Sequence, residues 1–105
     1  MAVAYKIQVD KDGANVTAQF DVRVKEMGSP ELLADFHLNV EGENLVPDFK
    51  PGQKQINGTR NYVLKKPDKD APVTFDISTN QGWTKSDSCT LRGEKTRDQC
   101  LFANE

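Results

Sequence analysis

The chain has 105 residues, the length of one domain (1–105) with no room for a second core. Its 14 basic and 16 acidic residues are spread along the whole sequence for a net charge of −2, without the basic stripe that phosphate neutralisation needs, which argues against a nucleic-acid partner. No segment approaches the ~20 apolar residues needed to span a bilayer, so no membrane span is expected.

Polar residues begin at Tyr5 and Lys6, so the N-terminus shows no signal-peptide pattern. A mature chain restarted from an added Met would look the same. Period-two alternation then dominates. Tyr5, Ile7 and Val9 face one way, and Lys6, Gln8 and Asp10 the other. Val16, Ala18, Phe20, Val22 and Val24 alternate with Thr17, Gln19, Asp21, Arg23 and Lys25. Asp12-Gly13 lies between the two runs, and the positive φ open to Gly suits a hairpin turn.

Residues 29–41 fit two templates. Ser29, Pro30 and Glu31 resemble a helix start, and Leu32, Leu33, Phe36 and Val40 would share a helical face. A strand instead points Leu32, Ala34, Phe36, Leu38 and Val40 inward, and Leu33, Asp35, His37, Asn39 and Glu41 outward. The strand accounts for Leu38 and is preferred. A short helix at 30–39 would make the fold α+β.

Residues 45–60 are rich in turn signals, with Pro47, Pro51-Gly52 and Asn57-Gly58, so any strands there should be short. Tyr62 and Leu64 then point inward. After a charged turn from Pro67 to Pro72, Val73, Phe75 and Ile77 alternate with Thr74, Asp76 and Ser78. Cys89-Thr90-Leu91 and Cys100-Leu101-Phe102 read as two strand ends around a polar loop. Clean alternation with short connections argues for antiparallel sheets, and about seven strands at this spacing suggest an all-β sandwich. The run from Pro51-Gly52 through Tyr62 and Leu64 to Ile77 loosely resembles the middle strands of immunoglobulin-like domains. The Trp between two widely spaced cysteines that marks those domains is not present.

Cys89 and Cys100 match neither a Cys-x-x-Cys redox pair nor a zinc knuckle. They suit a hairpin disulfide, and disulfides persist in oxidising compartments, which points to a secreted or periplasmic protein. The enclosed loop carries Arg92, Lys95 and Arg97. It could dock a partner or enter a trypsin-like pocket; the plainer reading is a solvated tip. Trp83 beside Gly82, and Phe49 in a Pro-rich loop, are the aromatic residues best placed for exposure. An exposed Trp83 could stack on a sugar, although a lone Trp in a thin core is more often structural.

Asp10-x-Asp12-Gly13-x-Asn15 departs from the calcium-loop pattern, with its Gly too early and no closing Glu, and reads as a hairpin turn. Asp68 and Asp70 read the same way. His37 is the one histidine; without a second ligand nearby or a nucleophile motif it reads as a surface residue. Asn15-Val16-Thr17 and Asn57-Gly58-Thr59 satisfy the glycosylation triplet and agree with exposed turns. No enzyme, metal or cofactor motif stands out. The expectation is a non-catalytic secreted or periplasmic binding domain for a protein or glycan, with carbohydrate binding through Trp83 and protease inhibition through the disulfide loop as alternatives. The partner and the oligomeric state are not written in the sequence.

Overall fold

A computed structural model of the chain describes residues 2–26 and 28–104. The described residues contain eight strands and no helix: β1 Val3–Asp12, β2 Asn15–Val24, β3 Leu33–Val40, β4 Glu43–Asn44, β5 Gln55–Val63, β6 Ala71–Thr79, β7 Thr84–Leu91 and β8 Arg97–Ala103. They form two four-stranded antiparallel sheets, β5-β2-β1-β8 and β4-β3-β6-β7. The order β5-β2-β1 facing β3-β6-β7 is the one immunoglobulin-type sandwiches use for their shared strands. Here β8 is added beside β1.

The β1–β2 hairpin pairs Asp12 with Asn15 across Gly13-Ala14. Gly13 has φ 61, and Ala14 stays at negative φ, as a turn with Gly at its first central position requires. The inward rows Val3, Tyr5, Ile7, Val9 and Val16, Ala18, Phe20, Val22, Val24 are all buried. They face Phe36, Leu38 and Val40 of β3 and Val73, Phe75 and Ile77 of β6. Aromatic rings interlock across the gap: Phe75 lies 5.3 Å from Tyr5 and 4.8 Å from Phe102, and Phe36 lies 5.4 Å from Phe20.

Three expectations need correction. First, the strand in 29–41 starts at Leu33, and a bulge between Leu33 and Asp35 shifts its phase. Leu33 therefore faces the core, while Leu32 and Ala34 are half-buried. Ser29 still caps locally, its hydroxyl accepting the Glu31 N–H at 3.1 Å, but no helix follows.

Second, Asn57-Gly58 is not a turn. It lies inside the nine-residue β5, opposite Asp21 and Phe20. A Cβ on Gly58 would come within 2.8 Å of Arg60 Nη1 and 3.2 Å of Phe20 Cζ. The Gly lets the Arg60 guanidinium lie over the Phe20 ring, 5.3 Å from its centroid. The eight strands of the described residues agree with the seven or so expected, the two-residue β4 closing a hairpin on β3.

Third, the disulfide does not clip a hairpin. Cys89 and Cys100 are bonded, with Cα atoms 5.9 Å apart, but β7 and β8 belong to different sheets. Cys89 pairs with Val73 in one sheet and Cys100 with Val9 in the other. Both point inward, so the bridge fastens the sheets together along one open side of the sandwich. The opposite side is closed by residues 45–54, where Phe49 meets Phe36 edge-on at 6.4 Å and Asp48 pairs with Arg60 at 3.2 Å.

Candidate functional site

The charged loop after β7 is the best-defined surface element. Leu91 is buried at the end of β7, and the chain then turns through Arg92–Thr96 into β8. Its backbone is held at four points. The Arg92 N–H donates to Asp98 Oδ2 at 2.9 Å and the Gly93 N–H to Asp70 Oδ1 at 3.0 Å. The Lys95 carbonyl accepts from Lys11 Nζ at 2.5 Å, and the Thr96 carbonyl accepts the Gly13 N–H at 2.7 Å. Lys11 is only 4% exposed: it continues the inward row of Tyr5, Ile7 and Val9 and brings its ammonium under the loop.

The loop's side chains stay outside. Lys95 is exposed, and Arg92 and Arg97 are 55% and 79% exposed, with surface partners Asp70 at 3.2 Å and Asp12 at 3.7 Å. Both loop-holding carboxylates titrate below the ordinary Asp range. For Asp98 the backbone N–H groups of Arg92 and Gln99 hold the charged form; for Asp70 the Gly93 N–H does most of it, helped by Arg92. A depression of about 370 Å³ opens beside the loop, bordered by Lys11, Pro67, Asp68 and Glu94.

The other two candidate residues are elsewhere. Trp83 precedes β7, so the eight residues of that strand, roughly 25 Å at 3.3 Å per residue, separate it from the loop. It is half-buried against the core, its backbone tied to Thr79. Phe49 is half-buried in the side closure. The structure therefore brings Arg92, Lys95 and Arg97 together at one end and places Trp83 and Phe49 away from them.

Two charged clusters escaped the sequence reading. His37 lies on the wet face as expected, but it has close partners there: Asp76 Oδ1 is 2.9 Å from Nδ1, and Asp35 Oδ1 is 3.5 Å from Nε2. These three groups bring donor atoms within 4.8 Å of one another. Each carboxylate takes a different ring nitrogen, so the cluster reads as a satisfied imidazole and not as a metal centre. The hydrogen bond that the ring donates to the Asp76 carboxylate raises the His37 pKa above 6.5.

The second cluster is built on Glu41. Glu41-Gly42 makes the β3–β4 turn, and Glu41 adopts φ 53, a costly conformation for a residue with a Cβ. Its carboxylate accepts the Tyr62 hydroxyl at 2.8 Å and the Lys65 and Lys66 N–H groups at 2.9 and 3.2 Å. It thereby ties the turn of one sheet to the end of β5 in the other. Burial pushes the carboxyl up, but these donors outweigh it and the pKa is lowered.

A pH optimum follows. Glu41, Asp70 and Asp98 have depressed folded pKa values, so their stabilisation is present above the unfolded carboxylate range and is lost as pH falls through the folded values. His37 acts oppositely: its contribution is full below the unfolded value near 6.5 and is lost as pH rises through the higher folded value. Urea midpoints should peak at about pH 5–6. Glu41→Gln should cost about 1 kcal/mol at neutral pH and flatten the acid limb. His37→Gln should flatten the alkaline limb, which is worth only a few tenths of a kcal/mol because the pair is solvent-screened, ~0.3. Midpoints independent of pH from about 3 to 8 would contradict these assignments.

The molecule is thus an all-β sandwich domain with an inter-sheet disulfide and a backbone-clamped cationic loop at one end. Among known proteins, no family model, no characterised protein and no solved structure matches it significantly.

Proposed function

We propose that this chain is a non-catalytic interaction domain of the secreted or periplasmic space, docking a protein partner through the loop Arg92–Arg97. The observation that carries this reading is the contrast between a backbone anchored at Arg92, Gly93, Lys95 and Thr96 and cationic side chains left in solvent. Ordering a loop before binding lowers the entropy lost on docking. The disulfide supports the compartment, since cytosolic thiols are kept reduced. Sugar stacking on Trp83 is less favoured, because the ring is partly engaged by the core. Protease inhibition would use the same loop and is separated from docking by assay.

The test is a triple alanine variant at Arg92, Lys95 and Arg97, compared with Trp83→Phe. The triple variant removes two exposed ion pairs, each worth about 0–1 kcal/mol, so the fold should persist. Partner capture from secreted or periplasmic extracts should fall roughly tenfold or more in the triple variant and survive in Trp83→Phe. Unaltered capture by the triple variant would remove the loop. Trypsin inhibition abolished by the triple change would convert docking into inhibition, and glycan-array binding lost in Trp83→Ala would favour the sugar reading.

A further inference from the structure

The sandwich has four sheet edges, and three of them are guarded. On β7 the inward positions opposite Ile77 and Phe75 are the exposed charges Lys85 and Asp87, which deter an added strand. β8 is fastened to β7 by the disulfide. The outer side of β3 is occupied by β4, by the Leu45 N–H bonded to the Leu38 carbonyl, and by a bridge from Leu33 to Gln53.

β5 carries none of these devices. It runs nine residues with no proline and no register shift against β2. Its one charge, Arg60, folds inward over Phe20 and onto Asp48. The direction of its backbone groups follows from its two ends. The Leu64 N–H bonds the Ala14 carbonyl, and the Lys54 carbonyl accepts the Val24 N–H, so even-numbered residues point at β2. Gln55, Asn57, Thr59, Asn61 and Val63 therefore turn their N–H and C=O groups to the free edge. Among the described residues, the one partner there is the Arg60 guanidinium, 3.2 Å from the Thr59 carbonyl. The side chains of these five residues are uncharged and exposed, Val63 at 64%.

We propose that β5 pairs antiparallel with β5 of a second copy of this chain, about a two-fold axis at Thr59, so that two four-stranded sheets become one. The strand is self-complementary in that register. Thr59 meets the partner's Thr59, Asn57 meets the partner's Asn61, and Gln55 meets the partner's Val63. Every outward-directed residue faces another, so both of its backbone groups find a bond. On the inner face Ile56 meets the partner's Tyr62, a favourable β-branched and aromatic pair. Arg60 meets the partner's Gly58, so the two guanidinium groups are never opposed. Pairing requires Arg60 to release the Thr59 carbonyl and keep Asp48. The dimer is independent of whatever the Arg92–Arg97 loop docks.

Sedimentation velocity from about 1 µM to about 1 mM reads the dimer directly. Thr59→Pro removes an N–H unused within one chain and sets a ring at the two-fold, where a solvent-facing edge tolerates it. It should be monomeric throughout. Thr59→Lys keeps the strand's N–H but opposes like charges across the axis and should weaken the dimer roughly tenfold. Hydrogen exchange at the Asn57, Thr59 and Asn61 amides should be slow in the wild-type dimer, and in the Thr59→Pro monomer, which has no N–H at position 59, the Asn57 and Asn61 amides should exchange fast. A wild type that stays monomeric across the range would overturn the proposal. So would a dimer that survives both substitutions, or one that leaves those three amides unprotected.

Discussion

Replacing both cysteines, Cys89→Ala with Cys100→Ala, should lower stability by about 3 kcal/mol while leaving the two-sheet fold in place. The bridge closes a segment with a sequence separation of 11, and the chain-entropy model assigns a loop of that size about that value. The fold should persist because β8 keeps its seven-residue pairing with β1 and β7 keeps its pairing with β6. Damage should concentrate where the bridge acts. β7 and β8 share no ladder, so without the sulfurs that side of the sandwich is held by side-chain packing and, at one end, by the anchored Arg92–Thr96 loop. Amide exchange should accelerate in β7 and β8 before it changes in β2 or β3. For a domain of this size the loss corresponds to a thermal midpoint lower by roughly 12 °C or more. Urea unfolding of the double variant is the direct measurement. A difference below about 1 kcal/mol would show that the bridge adds nothing to the packed interface.

Gly93→Ala should cost about 2–4 kcal/mol, although it adds one methyl group to a surface loop. A Cβ at this position would lie 2.5 Å from the carbonyl carbon and oxygen of Asp68 and from the carbonyl carbon of Lys69. Those are backbone atoms, so no side-chain rotation relieves the contact. The two loops must separate, and separation breaks the Gly93 N–H bond to Asp70 and the Arg92 ion pair with the same carboxylate. Gly93 is not at positive φ, so the requirement is space and not conformational freedom. Gly13→Ala is the contrast: φ is +61 and nothing lies within 4 Å, so its penalty is backbone strain alone, about 1–2 kcal/mol. Urea midpoints and chemical shifts at Asp68–Asp70 should separate the two. A Gly93→Ala protein with wild-type stability and unmoved shifts in 68–70 would refute the close approach.

Gly93 also shows where sequence reading stops. Within a strand, the inward and outward rows follow from a period of two, and that period is a local property of the backbone. It placed Tyr5, Ile7, Val9, Phe20, Phe36, Phe75 and their neighbours inside, and the Gly13 turn chemistry joined β1 to β2. The same alternation extended one step from Val9 would have found the buried Lys11. The chain by itself thus determined an all-β protein with a cationic loop between two cysteines. What it could not determine was which strands become neighbours. The bulge after Leu33, the extended Asn57-Gly58 and the meeting of Asp76 with His37 depend on partners brought from distant parts of the chain. Only the tertiary structure decided that β7 and β8 sit in opposite sheets, which turns a supposed hairpin clip into a fastening between layers. It likewise placed Trp83 and Arg92–Arg97 at opposite ends of one strand. The physical reason is that strand pairing is chosen by global burial and hydrogen-bond satisfaction, whereas alternation records only which face of each strand is dry.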